Sequence, residues 1–439
     1  MQKRLAATEI FIAGLMAVQP GLLISQQVRR SRGDLVVGGW IMDRREIGKL
    51  IILGVGKAAG AMADAVEQEL REWISGGLVV TKKGYGLPLE YLRSIEAGHP
   101  IPDQAGMKAS QTFINMVTPL QEKDLLILLL SGGASALLPD STDIPLPEVQ
   151  EIFSMLLRSG ADIREMNTVR KHLSSIKGGN LARLAWPARV FTFILSDVVG
   201  DPLDVIGSGP TVPDPTTYAD AYSILEKYDI WTGAGDAVKN WLRSGMEGVI
   251  PETPKPGDPV FDRVENMLIG NNSMALRAAA DKARQMGYHV ELRQEPMQGE
   301  ARTLAAELAT DFLTYKGPRP ACIIMGGETT VTVTGNGKGG RNQELALAIL
   351  DAWMVMGIGP EKLPTVLCAG TDGTDGPTEA AGAFADDNLM AIALGMDMDP
   401  HEYLANNDSY AYLEAAGAQL FTGPTFTNVA DMMVVLMEP

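Results

Sequence analysis

This sequence is poor in the residues that build metal cages and covalent staples. Its 439 residues include two cysteines, Cys322 in ACIIM and Cys368 in TVLCAG, and neither has a spaced partner. That excludes a cysteine-ligated zinc site and a disulfide framework. It predicts two inert, buried thiols and a reducing, cytoplasmic location. There are four histidines, His99, His172, His289 and His401. The spacing G-x-x-x-x-G-K-[ST] occurs nowhere, so a Walker A loop is excluded. Apolar runs stay short of the roughly 18 residues that a membrane helix needs. The opening MQKRLAATEIFIAGLMAV carries the cations of an export signal, but Glu9 interrupts it. Ile10, Ala13, Gly14 and Ala17 share one helical face, which predicts an amphipathic first helix. Positive charge is scarce too. Lysine and arginine total 37 against 54 acidic residues, a net charge of −17. Such a surface repels nucleic acid and anionic membranes, and neither is an expected partner. An anionic small molecule would bind only where lysines and arginines gather.

What the chain has in quantity is one repeated pattern: an apolar run, a glycine turn, a helical stretch. KLIILGVGKAAGAMADAVEQEL (49–70), LLILLLSGGASALLP (125–139), RVFTFILSDVVGDP (189–202), NMLIGNNSMALRAAADKARQMGYHVEL (266–292) and TVLCAGTDGTDGP (365–377) all show it. Strands alternating with helices predict an α/β protein with parallel sheets covered on both faces. Ligands in such sheets bind beyond the strand carboxyl ends, where this sequence places glycine, serine and aspartate. The length predicts two domains. The proline-rich segment GVIPETPKPGDPVFD (248–262) reads as the linker between residues 1–247 and 263–439, with an active site in the cleft between them. A homo-oligomer stays open as an expectation.

Four stretches carry candidate chemistry. In GVGKAAG (54–60), Gly54 and Gly56 would let a phosphate approach the backbone, and Lys57 would neutralise it. G-x-G-x-x-G is not met, and the next strand ends in Lys82 and Lys83 where a ribose-binding carboxylate belongs, which disfavours a nicotinamide site. In SGGAS, the hydroxyls of Ser131 and Ser135 and the amides around Gly132 and Gly133 suit phosphoryl or carboxylate oxygens. A loose likeness to a nucleophile elbow keeps a serine hydrolase open, with His289 or His401 as base. MNTVRKHLSSIKGGNLARLA (166–185) predicts a helix capped by Asn167 or Thr168, with Arg170, Ser174 and Lys177 in a polar stripe beside an apolar one. GGETTVTVTGNGKGGRNQELALAIL (326–350) predicts a strand over 330–334, a flexible turn with Lys338, Gly339 and Gly340, and a helix opened by Asn342. Arg341 there has the planar fork for bidentate phosphoryl contact. Asp197 and Asp201, and Asp372 and Asp375, follow strands in positions that suit Mg²⁺ or plain Asx turns.

Taken together these stretches resemble a known family. EAGHPIPDQAG (96–106), SGGASALLP (131–139), NTVRKHLSSIKGGNLA (167–182), SDVVGDPLDVIGSGPTVPDPTT (196–217), GGETTVTVTGNGKGGRNQE (326–344), GTDGTDGPTEAAGA (370–383) and NDSY…TGPTFTNVADM (407–432) resemble the class II glycerate kinases. The resemblance covers nearly the whole chain. It departs at Ala134, where the family usually has a glycine, and at Gly207, where alanine is common. It implies a Rossmann-like N-terminal domain and a C-terminal MOFRL domain near 320–432. It also implies ATP-dependent phosphorylation of D-glycerate at the 2-hydroxyl, Mg²⁺, and Lys57 and Arg341 as the main catalytic cations. On that reading 131–135, with Arg170, Lys177 and Asn342, would hold anionic groups. Gly54, Gly56, Lys338, Gly339 and Gly340 would hold nucleotide, and Asp197, Asp372 or Asp375 a metal or the hydroxyl. Hydroxypyruvate reduction, ester hydrolysis and non-enzymatic sensing of small acids are the competing readings.

Overall fold

The computed structural model describes residues 2–139, 144–395 and 398–439. The chain forms two compact units, residues 20–269 and residues 1–19 with 270–439. In chain order, helix α1 (Gln2–Ala17) belongs to the second unit. Helix α2 (Pro20–Gln27) and an antiparallel meander β1–β3 (Val28–Ser31, Asp34–Val37, Trp40–Asp43) open the first.

The first unit is built on β4 (Leu50–Val55), α3 (Ala59–Leu70), β5 (Gly76–Lys82), β6 (Arg93–Ala97), α4 (Gln104–Val117) and β7 (Leu125–Ser131). It continues with α5 (Ala134–Leu137), α6 (Leu146–Ser159), α7 (Ile163–His172), α8 (Asn180–Ala185), β8 (Arg189–Leu195), α9 (Tyr218–Lys227), α10 (Asp236–Met246) and β9 (Val264–Gly270). The sheet order is β6-β5-β4-β7-β8-β9, and the pairs from β6 to β8 are parallel. β4 and β7 are buried at every position, as a parallel sheet covered on both faces requires. Phe113 and Val117 of α4 and Leu181 of α8 pack with Ile51, Leu53 and Val55. Helix α3 packs against β4, β5 and β7. The chain leaves β4 toward β5 and β6 on one side, then returns to β7 on the other. That reversal is the switch point at which such sheets hold ligands. A second core joins α6, α7, α9 and α10 through Ile152, Leu156, Val169, Leu225 and Leu242.

The proline-rich segment is not a linker. Asp214 donates its amide to Pro254 O at 2.9 Å, and Thr253 donates to Asp214 Oδ2 at 3.1 Å. Glu252 accepts the Tyr218 amide and pairs with Lys255 and His172. Proline stiffness here serves a strap fastened by its polar neighbours.

The second unit runs on through α11 (Asn272–Gln285), β10 (His289–Leu292), β11 (Met297–Glu300), α12 (Ala301–Thr314), β12 (Ala321–Thr330) and α13 (Arg341–Val355). It closes with β13 (Thr365–Gly370), β14 (Gly382–Ala385), α14 (Asp387–Gly395), α15 (Pro400–Ala405), α16 (Ser409–Ala415), β15 (Gln419–Leu420) and β16 (Asp431–Met437). Its sheet is mixed rather than parallel. β10 and β11 run parallel to β12, whereas β16 is antiparallel to both β12 and β13. The expected strand–helix–strand unit at 266–292 is therefore not one sheet motif, because β9 and β10 lie in different sheets. The strand expected at 330–334 stops at Thr330.

Helix α1 buries Ala7, Ile10, Phe11, Gly14 and Leu15, one residue round from the expected face. Residues 2–27 are long and apolar enough to cross a membrane. In this fold Arg4 makes a bidentate pair with Asp386 at 2.6 and 2.7 Å, and Lys3 pairs with Asp387. Cys322 and Cys368 are free and buried, and burial raises both thiol pKa values, Cys322 to about 12.

Candidate active site

The loops after β4 and β7 meet at the switch point. Gly56 N donates to Val80 O at 3.1 Å, Lys57 N to Gly132 O at 2.9 Å and Ala58 N to Ser131 Oγ at 3.0 Å. These bonds consume the amides that a phosphate at Gly54 and Gly56 would use. Gly56 serves packing instead: its φ is +130° and a Cβ there would lie 2.1 Å from Ser131 Oγ. Gly54 is a strand residue against Val79. The stitching places Lys57 beside the second loop, its Cγ 3.6 Å from where a Cβ on Gly133 would stand, with His99 at 3.0 Å.

Above that loop lies a cavity of about 710 Å³, formed wholly by residues of the first unit. Gly132, Gly133, Ser135, Asp197 and Gly207 line its floor, and His99 to Pro102 one side. Helix α6 supplies Gln150, Phe153, Ser154 and Leu157, and α7 supplies Ile163, Met166, Asn167 and Arg170. Both sets have the spacing i, i+3, i+4, i+7 of one helical face. Ser131 does not line the cavity; its hydroxyl holds Ala58.

Ser135 Oγ lies 2.9 Å from Ser208 Oγ, and Ser208 donates to Asn167 Oδ1 at 2.9 Å. Ser208 has one proton to give, so Ser135 donates to Ser208. The far end of this chain, Asn167 Nδ2, is buried and has no hydrogen-bond partner among the described residues. Among the described residues the Ser135 proton thus goes toward an amide oxygen through a hydroxyl rather than to an imidazole, which argues against a serine hydrolase. Among the described residues the amides of Gly133, Ala134 and Ser135 donate to no protein acceptor. Arg170 sits 5.1 Å above the Phe153 ring, and burial lowers its pKa. An anion here would restore what desolvation removes.

Helix α7 begins earlier than expected. Asp162 caps it by accepting from Arg164 N and Glu165 N, and Glu165 answers with a bond from Asp162 N, so Asn167 is freed from capping. The helix ends at His172, which breaks the expected stripe through Ser174 and Lys177. Lys177 instead donates to Leu138 O at 2.6 Å, away from the cavity.

The remaining predicted residues lie in the second unit. Arg341 is clamped by Asp431, at 2.5 and 2.9 Å, and by Glu328 at 2.7 Å. Burial alone would lower its pKa; the neighbouring carboxylates outweigh that and raise it. Asn342 is buried, and with Gln343 it donates its amide to Asp375, at 3.1 and 2.8 Å. Asp375 therefore caps α13, and burial pushes its pKa up to about 6. Asp372 accepts from Thr374 N in a local turn. The loop with Lys338, Gly339 and Gly340 is not a free turn. Asn406, Asn407 and Asp408 accept its amides, and Lys338 Nζ stacks 4.5 Å from the Tyr410 ring. Among the described residues no three acidic or histidine side chains gather as a metal cage. Asp197 is the predicted metal carboxylate that reaches the cavity. A lone carboxylate does not fit an all-protein Mg²⁺ site; it fits Mg²⁺ that keeps water and phosphate oxygens.

A parallel α/β sheet with a ligand-sized cavity at its switch point, a hydroxyl at its floor and a half-buried arginine in its wall defines an enzyme for small anionic molecules. Residues 6–243 match the family described as "Domain of unknown function (DUF4147)", and residues 321–431 match the MOFRL family. The chain is 42% identical to the D-glycerate 2-kinase of Thermotoga maritima over 405 residues, covering 90% of this chain and 92% of that protein. It is 37% identical to the glycerate 2-kinase of Pyrococcus horikoshii over 433 residues, covering 96% and 94%. The crystal structure of a glycerate kinase from Thermotoga maritima matches it with a TM-score of 0.83 at 39% identity, covering 99% of each chain. This chain belongs to the class II glycerate kinase family, with its MOFRL domain in the second unit.

Proposed function

We infer that this protein is a glycerate 2-kinase that transfers the γ-phosphoryl group of ATP to the 2-hydroxyl of D-glycerate. The observation that carries the reading is the switch-point floor, where Lys57, the unengaged amides of Gly133 to Ser135 and the Ser135 hydroxyl gather at the edge of one cavity. Phosphoryl transfer asks a protein for positioning and charge neutralisation more than for covalent chemistry. The acceptor oxygen bonds to phosphorus as the bond to the bridging oxygen breaks, and ADP leaves. Asp197 orients the hydroxyl and takes its proton. Lys57 faces the anionic oxygens, and the amides at Gly133 hold the acid or the phosphoryl group in place. Arg341 is the second cation by family resemblance. Mg²⁺, carried on the nucleotide and touching Asp197, would supply further charge neutralisation. The buried free thiols fit a cytoplasmic location.

The nicotinamide alternative has lost its phosphate cradle, because the amides of 56–58 are spent within the fold. ADP release on adding D-glycerate tests the reading, with phosphorus NMR of the product. Phosphate on C2 couples to one methine proton, and phosphate on C3 to a methylene pair. NADH oxidation by hydroxypyruvate without ATP, and no ADP from glycerate, would overturn it.

A further inference from the structure

A three-carbon acid leaves most of this cavity unused. Its floor is polar, but its upper wall is not. Ile101, Leu157 and Ile163 line it and are 71%, 71% and 52% exposed, an unusual cost for large aliphatic side chains around a cavity. Helix α6 explains why they are there. It already buries one apolar stripe, Val149, Ile152 and Leu156, in the helical core. Phe153, at the edge of that core, and Leu157, outside it, also face the cavity. Glycerate has no apolar surface to match them. Among the lining residues Arg170 and Asp197 are the ones that carry full charge, and Gln150 gives one of its two amide hydrogens to Pro102 O at 2.8 Å.

We propose that this upper wall, Phe153 and Leu157 of α6 with Ile101 and Ile163, is the slot for the nucleoside of ATP. The base lies against the aliphatic side chains and the Phe153 ring. Arg170, held over that ring, meets the phosphates where they turn down to the Gly133 loop. The placement rests on the kinase reading. It replaces the nucleotide site expected at Gly54, Gly56 and Lys338 to Gly340, where the amides of Gly56 and Lys338 are taken by Val80 O and Asp408.

The test compares Leu157→Glu and Phe153→Ala with the parent enzyme, varying ATP and D-glycerate in turn, alongside photolabelling with 8-azido-ATP. Leu157 is largely exposed, so its replacement leaves folding intact. The expected result is a rise of roughly tenfold or more in the KM for ATP, with the KM for glycerate within about twofold. Label should fall on peptides from 146–170. An unmoved KM for ATP, or label on the peptide bearing 335–341, overturns the placement while ADP release from glycerate leaves the kinase reading standing. A parent enzyme that releases no ADP with glycerate overturns both.

Discussion

Ser131 Oγ accepts the amide hydrogen of Ala58 at 3.0 Å, and through that bond the loop after β7 fixes the loop after β4. Lys57 is the residue between this bond and Gly56. Ser131→Ala leaves a buried N–H without a partner, which costs about 1–3 kcal/mol. It also loosens the backbone that aims Lys57, so kcat should fall while the KM for ATP stays near its parent value. Urea unfolding and steady-state kinetics read the two effects; full stability with unchanged kcat would mean that the stitch is dispensable. Gly56→Ala should be far worse, because a positive φ and the Ser131 side chain both oppose the new methyl.

The two departures from the family pattern touch. A Cβ on Gly207 would lie 3.3 Å from the Ala134 Cβ and 2.8 Å from Leu130 Cδ1, with φ at +58°. One methyl occupies a space that two would crowd. Gly207→Ala should destabilise this protein by about 1–3 kcal/mol. Adding Ala134→Gly should recover part of that loss, and the double-mutant cycle measures how much. Strict additivity of the two changes would show that the pair is not coupled.

Much of this site is legible in sequence where chemistry follows a strand. The β4 and β7 runs end at the switch point, and Lys57, Gly133 and Ser135 fall beside it as their spacing implies. Tertiary fastening hid the rest. Ser131 looks like a ligand residue until Ala58 arrives from far along the chain. Asp375 looks like a metal ligand until α13 places two amides against it. Asn167 looks like a cap because its asparagine chemistry suits one, yet Asp162 with Glu165 is the stronger capping signal. The cavity face of α6 is not among the sequence readings, because Phe153 and Leu157 take their place only once α6 and α7 pack side by side. The proline run misled because prolines mark stiffness, and stiff segments serve as straps as well as linkers.

Glu252 gives that strap a pH signature. Partial burial pushes its pKa up, but the His172 ring 3.3 Å away and hydrogen bonds from the Tyr218 amide and Lys255 outweigh this and hold it at about 2. A lowered carboxylate pKa adds stability that is full above the unfolded value, near 4.5, and is lost as pH falls toward 2. Glu252→Gln should therefore be less stable than the parent at neutral pH, and the gap should close between those limits. Melting temperatures across that range check the sign; a gap that widens in acid contradicts it.

Arg341 carries two demands that a double replacement can separate. Its fork holds Asp431, which is 3% exposed, so removing the arginine alone strands a buried carboxylate and should cost about 3 kcal/mol or more. Arg341→Met should lose both stability and turnover. Arg341→Met with Asp431→Leu removes the stranded charge and should regain most of the melting temperature. Turnover should stay down by roughly a hundredfold or more if the guanidinium also serves the transferring phosphoryl group. Recovery of both in the double variant would make Arg341 a structural clamp and leave Lys57 as the main cation of the reaction.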